Sequence, residues 1–168
     1  MATKNGTNGN NTLEGTSDSD VLDGLGGNDI LRGRSDADSL LGGDGNDALY
    51  GQGGDDRLIG GRGDDWLSGG SADNTFVFDF NSGEDFITDF ITDVDRDDNV
   101  IDVRGYGIKS INDLRNHISE NATGVIIDLG KAAHGSGNVN TVTLLDVELN
   151  DLDLTPGLPG YGDDFLFA

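Results

Sequence analysis

The residues of this sequence that can do chemistry are aspartates that recur at a fixed interval. Six of them stand nine residues apart: Asp20, Asp29, Asp38, Asp47, Asp56 and Asp65. Each follows a turn-like stretch, most clearly in GGDGNDALY (residues 42–50) and GGRGDDWLS (residues 60–68). Carboxylates beside glycine turns, whose backbone carbonyls are accessible, supply the oxygen ligands that calcium prefers. The chain has no cysteine, and its two histidines, His117 and His134, are not paired, so the sequence does not favour zinc or copper.

These aspartates belong to an unbroken internal repeat. Eight consecutive nonapeptides extend from Gly6 to Val77 without an insertion. Position one is always glycine. Position six is aspartate except at Asn11 and Asn74, and position eight is leucine except at Phe76. A fixed period of this kind indicates a solenoid in which each repeat is one structural unit.

The repeat predicts the elements that must position the aspartates. Positions seven to nine form a short strand whose middle residue faces inward, because side chains alternate along a strand. Two strands and two six-residue turns make one coil of 18 residues, so stacked coils form two facing parallel sheets with leucines between them. The turns of odd-numbered repeats stack in one column (the odd column) and those of even-numbered repeats in another (the even column).

Glycine at positions one and four predicts sharp turns, because glycine adopts positive φ angles without strain. Position four carries three other residues. Asp18 and Asp36 are tolerated there, since aspartate also visits the left-handed region, whereas Ala72 is expected to be strained.

Overall charge narrows the classes of partner. The chain carries 32 acidic and 10 basic residues, a net charge of −22. Nucleic acids and anionic membrane surfaces both need basic residues on the protein, so neither is expected as a partner. No apolar run is long enough for a membrane span, and no cleavable secretory signal is expected from the polar start of the sequence. Stacked acidic turns instead favour a cation as partner.

The consensus of the repeat, Gly-Gly-x-Gly-x-Asp-x-apolar-x, resembles the nonapeptide of the RTX (repeats in toxin) family. The resemblance implies a mainly β protein, a right-handed parallel β-roll of nonapeptides that holds roughly four to six calcium ions between turns. It assigns the six aspartates as ligands together with turn glycines: Gly24, Gly27, Gly42, Gly45, Gly51, Gly54, Gly60 and Gly63.

The resemblance also pairs the aspartates within each column. In the odd column it joins Asp29 with Asp47 and Asp47 with Asp65. In the even column it joins Asp20 with Asp38 and Asp38 with Asp56. Sites that include Asn11 or Asn74 are expected to be weak, because asparagine keeps an oxygen but lacks the charge.

The composition changes after Val77 and predicts a mostly β cap with one short helix. Strands are expected in TFVFDF, DDNVIDV, GVIIDLG and NTVTLLDVEL, and a helix with Ser110 as its N-cap in SINDLRNHISE. A cap is required because an open roll exposes unpaired strand edges. We therefore divide the chain into an N-terminal tail (1–5), the roll (6–77) and a capping and secretion region (78–168).

The second half resembles the C-terminal part of RTX proteins that are exported by type I secretion. In DFITDFITDVDRDDNVIDV, Asp85, Asp89 and Asp102 fall on acidic positions of the family's pattern, and either Asp98 or Asn99 matches the remaining position. The resemblance allows one further calcium site here; solvated loop acids explain the same residues equally well. The ending DDFLFA fits a secretion signal or a last edge strand. A secreted or cell-surface protein that meets a type I secretion apparatus is implied.

Three functions remain open at this stage. The first is a secreted calcium-binding module that folds on calcium. The second is a carbohydrate-binding accessory module of a polysaccharide-modifying enzyme such as an alginate epimerase, and the third is a calcium-dependent adhesin or matrix protein. Outward-facing Tyr50 and Trp66 are either packed against the cap or tail, or form a platform for a sugar or protein partner. No nucleophile or zinc-protease motif accompanies the histidines, so an enzyme is not expected.

Overall fold

Two β-sheets face each other across one apolar core. The structure is a computed structural model, and it describes residues 1–79, 81–90, 99–131, 139–149, 152 and 164–166. The strands are β1 (Thr3–Thr7), β2 (Thr12–Glu14), β3 (Val21–Leu25), β4 (Ile30–Ser35), β5 (Ser39–Asp44), β6 (Ala48–Gly53), β7 (Arg57–Arg62), β8 (Trp66–Ser71), β9 (Thr75–Val77), β10 (Glu84–Ile87), β11 (Val100–Asp102), β12 (Ile118–Asn121), β13 (Gly124–Lys131), β14 (Val139–Leu145) and β15 (Phe165–Leu166). The parallel β-roll predicted from the nonapeptides is confirmed.

From β1 to β11 the strands alternate between the two sheets, as the 18-residue coil requires. One sheet has the order β1-β3-β5-β7-β9-β11-β15, and the other has the order β12-β13-β14-β10-β8-β6-β4-β2. Within the roll every pairing is parallel and in register, so Leu31 aligns with Leu49 and Leu49 with Leu67. The position-eight side chains between the sheets are fully buried from Leu22 to Phe76. The strands therefore place equivalent residues of successive coils directly above one another.

The turns use glycine for two different physical reasons. Positive φ angles occur at positions two and four, for example at Gly43 (φ 110°) and Gly45 (φ 131°). None of the eight position-one glycines has a positive φ, so that part of the sequence prediction is wrong. They are required instead because a Cβ at this position would collide with the position-six side chain of the same turn and, in most coils, with a carbonyl of the neighbouring coil.

The roll begins before the first complete nonapeptide. The sequence assigned residues 1–5 to a tail, but Thr3–Asn5 belong to β1, which pairs in parallel with β3. Lys4 occupies the inward register position next to Leu22, and its ammonium donates a hydrogen bond to the Glu14 carbonyl. The repeat pattern did not predict this strand because a lysine stands where the other coils carry an apolar residue.

The C-terminal half extends both sheets as well as closing the core. Strand β10 continues one sheet beyond β8, and β11 continues the other beyond β9. Beyond β10, the strands β14, β13 and β12 complete that sheet, with antiparallel pairing between them. Strand β15 forms the edge of the opposite sheet next to β11. The two strands predicted on either side of the KAAHGSGN sequence are confirmed as β13 and β14.

The predicted helix is shorter than the sequence suggested. It is one turn, α1 (Ile111–Leu114), and the Ser110 hydroxyl caps it by accepting the Asp113 N–H at 3.2 Å. His117 lies in the following turn, and Ile118–Asn121 form β12. The extended conformation prevails there because β12 pairs along its whole length with β13. No helix in the described part of the chain is long and apolar enough to cross a membrane.

Position four of the even column offers a matched test of the turn geometry. Ala72 adopts φ 78°, whereas Gly54, one coil earlier, adopts φ 116°. We predict that Ala72→Gly raises the free energy of unfolding by about 1 kcal/mol, because it removes the strain of a left-handed alanine. Gly54→Ala should lower it by more than about 1 kcal/mol, since its Cβ would also lie 2.5 Å from the Asp36 carbonyl oxygen. Urea denaturation with calcium present measures both changes, and equal effects of the two substitutions would contradict the assignment.

Candidate metal centre

The sixth-position aspartates form a stacked ladder along each column of turns. All six are almost completely buried: Asp20 (2% exposed), Asp29 (1%), Asp38 (4%), Asp47 (2%), Asp56 (1%) and Asp65 (0%). Neighbouring members of one column are 18 residues apart and lie on adjacent coils, which are separated by about 4.8 Å. The fold therefore brings together the pairs that the sequence predicted.

One carboxylate oxygen of each aspartate holds the coils in register. In the odd column, Asp47 Oδ1 accepts the N–H of Asp29 at 2.7 Å, and Asp65 Oδ1 accepts the N–H of Asp47 at 2.8 Å. In the even column, Asp56 Oδ1 accepts the N–H of Asp38 at 2.8 Å. Because each acceptor lies one coil beyond its donor, these bonds tie consecutive coils together and fix the rotamers of the aspartates.

The second carboxylate oxygen is buried and receives no hydrogen bond from the described residues. This is so for Oδ2 of Asp29, Asp38, Asp47, Asp56, Asp65 and Asp85. A buried carboxylate oxygen without a partner is costly, so six of them in two rows need a compensating positive group.

Turn glycines surround these oxygens with further oxygen atoms. A Cβ placed on Gly42 would collide with Asp47 Oδ2 and would lie 2.5 Å from the carbonyl oxygen of Gly60 on the next coil. The same arrangement recurs at Gly51, whose Cβ would collide with Asp56 Oδ2 and lie 2.6 Å from the Gly69 carbonyl oxygen. From Asp29 to Asp56, each Oδ2 thus shares a cradle with a carbonyl of the neighbouring coil. Buried carboxylate and carbonyl oxygens without a nitrogen or sulfur ligand fit calcium.

Burial makes these carboxylates hard to ionise without a cation. It raises the pKa of Asp47 to about 6 and that of Asp56 to about 7. It raises the pKa of Asp65 and of Asp85 to about 8, and the charges of Asp85 and Asp47 add to the effect at Asp65. The pKa of Asp38 is also raised, mainly by burial. A bound divalent cation would reverse this preference by stabilising the ionised form.

Comparison with known proteins agrees with this geometry. The RTX calcium-binding nonapeptide repeat family matches residues 5–40, 41–76 and 50–87. This chain is an RTX repeat protein. Its RTX repeats are calcium-binding units, and such repeats are typical of secreted proteins.

Two solved structures resemble the RTX fold of this chain at low identity. One is the AlgE6R3 subunit of the mannuronan C5-epimerase of Azotobacter vinelandii, with 21% identity, a TM-score of 0.47, and coverage of 91% of this chain and 83% of that one. The other is the extracellular lipase LipA of Serratia marcescens, with 17% identity, a TM-score of 0.44, and coverage of 97% of this chain and 39% of that one. No curated protein matches the chain.

The RTX ladder continues past the last regular nonapeptide. Asp85 Oδ1 accepts the N–H of Asp65 at 3.0 Å, and Asn99 Oδ1 accepts the N–H of Asn74 at 2.9 Å. Asn81 (φ 70°) and Gly83 (φ 96°) repeat the positive φ angles of positions two and four. Residues 80–88, FNSGEDFIT, are therefore a degenerate ninth nonapeptide that follows a two-residue insertion. The Gly-x-Asp-x-Ile spacing of Gly83, Asp85 and Ile87 is the signal that could have revealed it.

Asp89 and Asp102 make different contacts from Asp85. Asp89 accepts the backbone N–H groups of Gly69 and Gly70 and the Ser68 hydroxyl, at 2.7–3.0 Å, so it caps a turn of the even column. Asp102 forms a bidentate ion pair with Arg104, which lowers the pKa of its carboxyl. Both carboxylates already have donors, so in this structure they resemble structural acids more than cation ligands. Asp98, the other open assignment, lies outside the described residues.

The ends of the ladders differ from their middles. Asp20 Oδ2 accepts the backbone N–H and the hydroxyl of Thr16, at 2.7 and 2.8 Å, and the hydroxyl contact lowers the pKa of this carboxyl. Asn74 keeps the register with its amide oxygen, which accepts the Asp56 N–H at 3.0 Å. The charged, unpartnered oxygens are therefore concentrated in the inner coils.

A second ladder at position five escaped the sequence analysis. Asn28 Oδ1 accepts the N–H of Asn46, and Asn46 Oδ1 accepts the N–H of Asp64, both at 3.2 Å. These bonds run in the opposite direction to those of position six. The exposed position-five side chains thus reinforce the stacking of the odd column.

In the described residues, no three histidine, cysteine, aspartate or glutamate side chains converge to form a metal site made of side chains alone. This agrees with sites made from carboxylate pairs and backbone carbonyls. His117 Nδ1 lies 2.7 Å from the Asp128 carbonyl oxygen, and His134 lies outside the described residues.

The two roles of the ladder carboxylate can be separated at Asp47. Asp47→Asn should keep the acceptor for the Asp29 N–H, as Asn74 does for Asp56, but lose the charge. We predict that it weakens calcium binding at least about tenfold while preserving the stacking. Asp47→Ala should lose both functions.

Calcium titrations monitored by circular dichroism measure this difference. Asp44→Asn is the matched control, because Asp44 is an exposed acid of the same turn that pairs with Arg62 at 3.4 Å. An Asp44→Asn midpoint shifted as far as that of Asp47→Asn would show that general charge, rather than the ladder, governs binding.

The raised pKa values give the metal-free roll a distinctive pH dependence. Folding raises the pKa of Asp47, Asp56, Asp65 and Asp85 above the unfolded value of about 4, so the folded state binds more protons. The resulting stability is fully present below pH of about 4 and is lost as the pH rises toward about 8. We predict a higher melting temperature at pH 5 than at pH 8 for protein freed of metal. With calcium the trend should reverse, because protons compete for the same oxygens; a metal-free protein more stable at pH 8 contradicts this account.

Proposed function

We propose that this RTX protein is a calcium-triggered folding module of a secreted protein. It stays expanded where calcium is scarce and folds into the roll when it meets extracellular calcium. The observation that carries this proposal is the double row of buried Oδ2 atoms without a hydrogen-bond donor in the described structure. A cation that binds the folded state alone stabilises it by mass action, by about 2.7 kcal/mol per site at 100 times the Kd.

Five calcium sites follow from the pairs of adjacent aspartates in each column. The odd column provides Asp29 with Asp47, Asp47 with Asp65, and Asp65 with Asp85. The even column provides two more, Asp20 with Asp38 and Asp38 with Asp56. The Asp20 site is the weakest of the five, because Thr16 already donates to Asp20 Oδ2.

The proposed ligands at each site are carboxylate oxygens of the two paired aspartates and turn carbonyls of the two coils. Each site therefore needs two coils in place, so binding one ion orders the turn that the next ion uses. This coupling favours a cooperative transition over independent binding. Repulsion between stacked carboxylates supports an expanded state without calcium.

Export is the second part of the proposal. Residues 78–168 resemble the C-terminal region of type I secretion substrates, and a chain that cannot fold without calcium suits passage through such an apparatus. Phe165 is buried and the Asp164 carbonyl accepts the Ile101 N–H at 2.8 Å, so residues 164–166 also join the folded core. Folding after export would withdraw that segment from the transporter.

Calcium titration of the metal-free protein at neutral pH tests the folding switch. Far-ultraviolet circular dichroism should show a cooperative gain of β-signal with calcium and none with magnesium. Magnesium is the smaller ion and requires a stricter octahedral arrangement of ligands. Full β-signal in chelator that calcium does not change would refute the switch.

Removing residues 153–168 tests the export proposal. In cells with a type I apparatus, this deletion should abolish release into the medium, while removal of residues 1–5 should not. Loss of fold does not confound the result, because export precedes folding in the proposal. Undiminished release of the C-terminal deletion would locate the signal elsewhere.

A further inference from the structure

A groove runs across the coils on the outer face of the β2-containing sheet, beside the odd column. We call it the Trp66 groove; it has a volume of about 490 Å³. Its lining residues are Asn28, Asp29, Ile30, Asn46, Asp47, Ala48, Asp64, Trp66 and Phe86. They come from positions five, six and seven of successive odd coils, so the groove is linear and parallel to the roll axis.

One wall of the Trp66 groove is apolar and ends in two stacked aromatic rings. Trp66 and Phe86 are register partners on β8 and β10, with ring centroids 5.3 Å apart and an interplanar angle of 24°. Ala48 and Ile30 continue the row on the preceding coils. Trp66 remains 47% exposed although its neighbour supports it. The aromatic surface is thus held in place and faces solvent.

The other wall is polar, and its side chains have fixed orientations. Oδ1 of Asn28 and of Asn46 each accept an N–H from the next coil, and Asp64 Oδ1 accepts the Glu84 N–H at 3.0 Å. The backbone bonds leave the other polar atom of these exposed side chains, Nδ2 or Oδ2, available to a ligand. Donors and acceptors therefore recur along the groove once per coil, at intervals of about 4.8 Å.

We propose that the Trp66 groove binds a neutral polysaccharide chain. Such a chain is linear, and each sugar ring presents an apolar C–H face for an aromatic ring and hydroxyls for the amide and carboxylate atoms opposite. One pyranose ring is about as long as the spacing between coils. Successive sugar rings can therefore each meet the apolar and polar groups of one coil.

Charge favours a neutral chain over an acidic one. Asp64 lines the groove, Glu84 adjoins it, and the protein carries a net charge of −22. An acidic polymer would be repelled, whereas hydroxyls can donate to the same carboxylates. The groove shares Asp29 and Asp47 with the proposed calcium sites, but glycan binding is a different activity that requires only a folded roll.

Affinity electrophoresis through gels that contain laminarin, xylan, dextran or hydroxyethylcellulose tests the proposal, with alginate as the acidic comparison. Calcium is present throughout, and circular dichroism establishes that each protein sample is folded. Trp66→Ala is the test variant. Tyr50→Ala is the matched control, because Tyr50 is an exposed aromatic of the same sheet that lies outside the groove and stacks with Arg32 at 5.5 Å.

We expect at least one neutral glycan to retard the protein, with Trp66→Ala weakening the interaction at least about tenfold and Tyr50→Ala leaving it unchanged. Three results would overturn the proposal: no retardation of the folded protein by any neutral glycan, retardation by alginate alone, or equal effects of the two substitutions. Calcium-dependent dimerisation that Trp66→Ala abolishes, without any glycan binding, would instead make the groove a protein interface. A protein that never folds with calcium would refute the calcium switch rather than this inference, and acid-folded protein would then serve for the glycan test.

Discussion

The structure depends on how each sixth-position aspartate divides its two oxygens. Oδ1 accepts a backbone N–H from the preceding coil and sets the register, as Asp47 does for Asp29. Oδ2 points into a cradle formed by its own turn glycine and the carbonyl of the next coil. The first interaction needs no cation of its own, whereas the second is costly until a cation or a proton arrives. In the proposed function, folding and binding are therefore coupled at the same side chain.

This division explains the invariant feature of the repeat, the glycine at position one. Position-one glycine is needed for close approach rather than for its backbone angles, because a Cβ at Gly42 would fill the space between Asp47 Oδ2 and the Gly60 carbonyl. The inward leucine keeps the two sheets together behind the turn. Glycine, aspartate and leucine thus act on the same coil for separate physical reasons, and the nine-residue period keeps them aligned.

The sequence predicted the fold and the site best where the nine-residue period was unbroken. It predicted them least well where a non-consensus side chain or an insertion interrupted that period. The two columns and the stacking of the aspartates within them follow directly from the repeat. Strand β1 was missed because Lys4 stands where the other coils carry an apolar residue. The ninth nonapeptide was missed because a two-residue insertion precedes it and Phe80 stands where the other repeats begin with glycine. Periodicity could not show that Asp89 caps a turn or that Asp102 pairs with Arg104, since Asp89, Asp102 and Arg104 all lie outside the nonapeptides.

A crystal structure of the calcium-loaded protein, with an anomalous difference map recorded at long wavelength, tests the central claim most directly. The account predicts calcium peaks between successive turns of both columns, each within about 2.3–2.6 Å of an inner-coil Asp Oδ2 and of turn carbonyl oxygens. Asp65 and Asp85 should share one of these ions. Peaks confined to exposed acids such as Asp44 or Asp64, with the Oδ2 atoms of Asp47 and Asp65 bound to water, would contradict it.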